Sequence, residues 1–300
     1  MIRTMSKPPG KSFSPSGSRI LPTSVSQVGT ITKYELVNYF RSRRFFILLA
    51  IGLIISGIFT GLVAYLGVSK VAPCPPSTCS SPVLAFYSFW WGSSIAFVIV
   101  LSGIFFGGDA ISGEFQNKTG YFLVANPLRR SSIYIGKWLG ALTASLMVLA
   151  IYAAITVGNG LYYFGANVPS QFAESLSFSI LYLISVLGFT FFFSSLFKSS
   201  SMSILVTAIL FLFAFNLIQL IVSGLVQIEP WFIITYGSGI IGNVLMQTYP
   251  TRQPIRGAGP GGGADTTFAA TIPEGIAILV VYFFATAVLG LVLFERKEFT

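Results

Sequence analysis

The densest group of chemically capable side chains lies between residues 108 and 137, in the stretch GDAISGEFQNKTGYFLVANPLRRSSIYIGK. Asp109 stands where an apolar run ends, placed to cap a following helix, and Glu114 falls near that helix's positive end. Glu114 and Lys118 are four residues apart, in the order that favours pairing along a helix. Phe115 and Phe122 share a face with Thr119, so an apolar side is set against a charged one. Pro127 closes the segment, and Arg129, Arg130 and Lys137 lead into the next apolar run. The pattern predicts a short amphipathic helix, a turn and a basic entry to a membrane span. Its chemistry is that of a docking site or a membrane-surface anchor, not of bond making.

Other candidates are few. Cys74 and Cys79 are the only cysteines, in Cys-Pro-Pro-Ser-Thr-Cys. Close spacing in an oxidising compartment favours a disulfide stapling a small loop, with free thiols or a redox or metal role as alternatives. Histidine is absent, which removes the commonest general base and zinc ligand, so no metal site is expected. Gly10-Lys11-Ser12 resembles the end of a phosphate-binding loop, but the required earlier glycine is replaced by Met5. No catalytic residue is assigned, and the chain is not expected to be an enzyme. Asn216 and Gln219 share one helix face within an apolar run. Such amides either hydrogen-bond between helices or form a polar wall of a translocation path.

These residues are set among elements that composition makes membranous. The chain is 54% hydrophobic and only 9% charged, with a mean hydropathy of +0.79. A surface so poor in charge must face lipid or other helices. Residues 1–30 are rich in Ser, Pro, Gly, Lys and Arg and read as a disordered tail without the apolar core of a signal peptide. Residues 31–44 carry apolar positions at helical spacing and end on Arg41, Arg43 and Arg44, suiting a helix in the headgroup layer. Apolar runs follow at about 45–67, 83–107, 138–165, 176–197, 202–226 and 276–294. Each reaches the roughly 20 residues that cross a hydrocarbon core. None contains Asp, Glu, Lys or Arg, which counts against proton-coupled carriers. With the N-terminus inside, fifteen of the eighteen Lys and Arg fall on the cytoplasmic side. The basic residues flank apolar runs, so no nucleic-acid partner is expected. Residues 229–275 form a long outer connection. Its first part is apolar but broken by Gly237, Gly239 and Gly242, and is expected as short helices shielded by protein. Its second part, PIRGAGPGGG, reads as a flexible loop.

The run Asp109-x-Ile111-Ser112-x-Glu114, followed by Thr119, Leu123, Pro127, Arg130, Gly136 and Lys137, resembles the cytoplasmic connection of ABC-2 type transporter permeases. The basic interfacial helix, the six spans, the outer re-entrant region and the terminal Phe294-Glu295-Arg296-Lys297 are similar too, so the likeness covers about 31–300. The Ser/Pro-rich tail and the glycine-rich outer loop depart from that pattern. The resemblance implies an all-α integral membrane domain over 31–300 in the cell membrane, with six spans and both ends in the cytoplasm. It implies a permease that exports a substrate, paired with a second copy or a related permease and embedded in lipid. Separate ATP-binding cassette ATPase subunits, holding ATP and Mg, would dock on 108–137. Asp109, Glu114, Lys118, Pro127, Arg130 and Lys137 would couple them to the spans. A channel or facilitator, or a membrane-anchored assembly protein without transport, are the alternative readings.

Overall fold

The computed structural model describes residues 23–75, 80–117, 129–250 and 268–297. Among these, six helices are long and apolar enough to cross a membrane: Arg43–Leu66, Pro82–Gln116, Arg130–Phe164, Ser170–Leu196, Ser200–Val226 and Ile272–Arg296. They are referred to below as the first to sixth spans. All the expected apolar runs fall within them, apart from a residue or so at some ends, and no strand occurs among the described residues.

An amphipathic helix, Ser24–Arg41, precedes the first span. It begins earlier than residue 31, where apolar periodicity placed it. The Thr23 side chain accepts a hydrogen bond from the Ser26 amide and starts it there. The helix lies along the beginning of the third span, where Gly136 and Gly140 stand one turn apart. A Cβ on Gly136 would come within 2.8 Å of the Ile31 side chain, and one on Gly140 within 2.9 Å of the Glu35 Cβ. Small residues at this spacing let two helix backbones approach closely, and the Thr32 hydroxyl donates to the Gly136 carbonyl at 3.2 Å.

The fourth span occupies the middle of the bundle. Its apolar sequence is punctuated by Ser175, Ser179, Ser185, Thr190 and Ser194, all buried. Their hydroxyls are satisfied by backbone. Ser175 donates to the Ile241 carbonyl at 2.6 Å and Ser185 to the Leu279 carbonyl at 2.8 Å. The first, fifth and sixth spans are peripheral and keep large apolar side chains exposed, among them Ile54, Phe213, Leu220 and Phe284. In the fifth span two stretches, Leu210–Ala214 and Ile221–Val226, widen to π-helical turns. The helix ends at Gln227, whose φ of 55° is left-handed.

The apolar, glycine-broken stretch after the fifth span forms two short helices, Ile234–Ser238 and Ile240–Asn243. Ile234, Tyr236, Ile240 and Ile241 are buried against the fourth and sixth spans. This is the protein-shielded arrangement that backbone at membrane depth requires. The sixth span starts with a capping box between Thr271 and Glu274. The glycine-rich loop expected around 250–264 lies almost wholly outside the described residues.

Candidate functional site

At one end of the bundle, five charged side chains from four segments meet. Lys137, at the base of the third span, has a side chain only 7% exposed. It is paired with Glu35 of the interfacial helix and with Glu114 of the short helix Ser112–Gln116, the latter at 2.8 Å. Beside them Arg44, at the start of the first span, pairs with Asp109, just past the apolar part of the second. The group lines a cleft of about 310 Å³, with Tyr39, Asn38 and Asn117 on its walls. Burial, and then the Glu35 and Asp109 carboxylates, push the Tyr39 phenol well above its ordinary pKa. It therefore stays protonated and donates to the Phe106 carbonyl at 2.8 Å.

The local fold explains why these groups meet. Asp109 does not cap the short helix, contrary to the expectation from sequence. The Ser194 hydroxyl oxygen, from the fourth span, accepts from the Ile111 and Ser112 amides at 2.9 and 3.0 Å. That leaves the Asp109 carboxylate for Arg44. Glu114 is likewise not an open, solvated charge, since its side chain is 21% exposed and faces Lys137. Phe115, on the other side of the short helix, packs edge-on to Phe294 with ring centroids 6.4 Å apart. The Lys297 ammonium sits 4.3 Å from the Phe115 ring centre. It also donates to the Ser195 and Phe197 carbonyls at 2.9 and 2.8 Å. Burial, with Lys198 adding to it, pulls this ammonium down to about 8.

Of the coupling residues expected from sequence, Asp109, Glu114 and Lys137 come together. Arg130 does not join them. It donates to the Glu295 and Lys297 carbonyls at 2.8 and 3.0 Å, at the negative end of the sixth span's helix. Lys118, Pro127 and Phe122 lie outside the described residues. Glu35 and Arg44 were missed. Glu35 left one signal, being the lone acid in the otherwise basic stretch 31–44. Among the described residues no group of three His, Cys, Asp or Glu side chains converges to hold a metal.

A family model described as ABC-2 family transporter protein matches residues 29–299. The chain belongs to the ABC-2 transporter family. Comparison with curated proteins gives no match. As an ABC-2 family member it is a multi-pass membrane protein and a membrane permease of an ABC transporter. The match begins inside the interfacial helix and ends beyond the sixth span, so it takes in every member of the charged cluster.

This ABC-2 permease has a second concavity, open on one side, where Ser93, Phe97, Phe213 and Asn216 are exposed. It measures about 560 Å³ and lies between the second, fourth and fifth spans and the helix Ile234–Ser238. Asn216 and Gln219 both line it, with Ser93, Phe97, Phe211 and Thr235. The Asn216 Nδ2 donates to the Phe211 and Leu212 carbonyls at 3.1 and 3.3 Å. These carbonyls belong to the widened turn Leu210–Ala214. The Gln219 Oε1 accepts from the Thr235 hydroxyl at 3.1 Å. At the bundle end opposite the charged cluster, Cys74 is disulfide-bonded. Cys79, its expected partner, lies outside the described residues.

Proposed function

We propose that this chain is the permease subunit of an ABC exporter in the cell membrane, driven by separate ATPase subunits that dock on the cytoplasmic connection 108–137. The observation that carries the reading is the charged cluster in an ABC-2 family chain. The short helix of that connection is clasped through Glu114 and Lys137 to the interfacial helix and the third span, and through Phe115 to the sixth. A push on this helix therefore reaches several spans at once. Side chains buried this way move as a unit rather than by bending independently.

Charge distribution supports placing this end in the cytoplasm. Ten of the eleven described Lys and Arg belong to segments gathered here, and Lys70 alone to the other end. A second permease copy or a related permease would complete the transporter. ATP and Mg would be held by the ATPases. The cavity bordered by Asn216 and Gln219 is the proposed translocation path. The test is capture of the tagged chain in mild detergent, followed by mass spectrometry and an ATPase assay. An ATPase subunit is expected to co-purify, and the chain alone is expected to hydrolyse no ATP. Repeated recovery of the chain by itself, with transport intact in vesicles, would refute the reading.

A further inference from the structure

The cavity between the second, fourth and fifth spans has a chemical character that narrows what it holds. Among the described residues, no Asp, Glu, Lys or Arg lines it. A formal charge placed there would lose its hydration without meeting a counter-charge, which is costly at membrane depth. Its walls are nevertheless not wholly apolar. Asn216, which is exposed, spends its Nδ2 on the two carbonyls of the widened turn, and among the described residues its Oδ1 is an unused acceptor. Gln219, one turn further on, receives the Thr235 hydroxyl at Oε1, and among the described residues its Nε2 is an unused donor. One acceptor and one donor thus stand side by side on a single helix face. Against them are set the apolar surfaces of Phe97 and Phe213. A hydroxyl both donates and accepts, so a hydroxyl-bearing group satisfies the pair where a purely anionic or cationic group satisfies half of it.

We propose that this cavity binds an uncharged amphiphile, with its hydroxyl-bearing end against Asn216 and Gln219 and its apolar body along the phenylalanines. The inference rests on the permease reading for its role as cargo, but the binding chemistry stands apart from any ATPase. At about 560 Å³ the space suits a drug-sized or short-chain molecule rather than a polymer.

The test uses the full chain in lipid nanodiscs, with empty nanodiscs as background. Three probes of equal chain length are compared below their micellar concentrations: octyl glucoside, octyltrimethylammonium and octyl phosphate. Saturable binding of the glucoside is expected, at least tenfold tighter than either charged probe. Asn216→Leu with Gln219→Leu should weaken the glucoside at least tenfold. Gln219→Glu keeps an acceptor for Thr235 while adding a carboxylate. It should shift the preference at least tenfold towards the ammonium, and it decides the matter if the leucine variant does not fold. Equal affinity for charged and neutral probes would overturn the proposal. So would a glucoside affinity that neither variant alters. Loss of ATPase capture with this selectivity intact refutes the permease reading alone. Intact capture without the selectivity refutes the substrate class alone.

Discussion

Replacing Lys137 with methionine removes a cation that Glu35 and Glu114 share. At the 2.8 Å separation from Glu114, that pairing has a gross Coulomb energy of about 6 kcal/mol at an effective dielectric of 20. Desolvation of the buried ammonium offsets much of this. What decides the outcome is what remains behind. Without Lys137, two carboxylates face each other in a half-closed cleft, and breaking a buried pair from one side costs about 3–5 kcal/mol. Glu114→Gln leaves Lys137 paired one-to-one with Glu35, so the expected loss is only about 1 kcal/mol, that of one hydrogen bond. The triple change Lys137→Met, Glu35→Gln, Glu114→Gln removes every charge of the triad and should recover most of the stability. Arg44→Met should cost no more than about 1 kcal/mol, because Arg44 is 45% exposed and its pair with Asp109 is solvent-screened. Thermal unfolding in a fixed detergent, read by size-exclusion recovery, ranks the four variants. Equal loss for Lys137→Met and Glu114→Gln, or no recovery in the triple variant, would refute the idea that one cation neutralises two acids here.

Two further perturbations bear on the fold around the site. Gly136→Val places branched carbons where Ile31 and the Val28 carbonyl already stand, at 2.8 and 3.2 Å from a Cβ. It should detach the interfacial helix at a cost of about 1–3 kcal/mol, seen as faster proteolysis after Lys33 with the spans still protected. A membrane-impermeant thiol reagent on intact cells should label neither cysteine before reduction and both after it. Labelling only after permeabilisation would reverse the proposed orientation.

How far the molecule was legible in its sequence depended on whether a signal was local. The spans are local, since twenty consecutive apolar residues such as those within Ile272–Arg296 have few other uses. The shielded short helices after the fifth span were likewise readable, because an apolar stretch broken by Gly237, Gly239 and Gly242 excludes a straight crossing. The partners of the charged residues were not. Glu114 meets Lys137, which only the packing of the third span supplies, while Lys118, four residues away in sequence, lies outside the described residues. The cap for the short helix comes from Ser194, more than eighty residues downstream, as the chain folds back through the bundle. Asp109 was misread for that reason. The widened turns around Asn216 were also invisible. LFLFA carries no composition that separates a π turn from an ordinary one.

The clasp on Lys137 also sets an order in time. Glu35 and Lys137 are separated by 102 residues. At about 5–20 residues per second of synthesis, Glu35 waits roughly 5–20 s for its partner. During that interval the first two spans are already made, while the interfacial helix has neither Lys137 nor the Gly136–Gly140 groove to rest on. It then rests on the second span only through Tyr39, against Phe106, and otherwise on water and headgroups. Arrival of the base of the third span supplies the groove and the ammonium together, so docking of the helix reports that the chain has passed its second span and begun its third. Ser194, and with it the anchored short helix, comes only with the fourth. The end of the bundle assigned to the ATPases is thus finished late, after the path it would drive has half its walls in place.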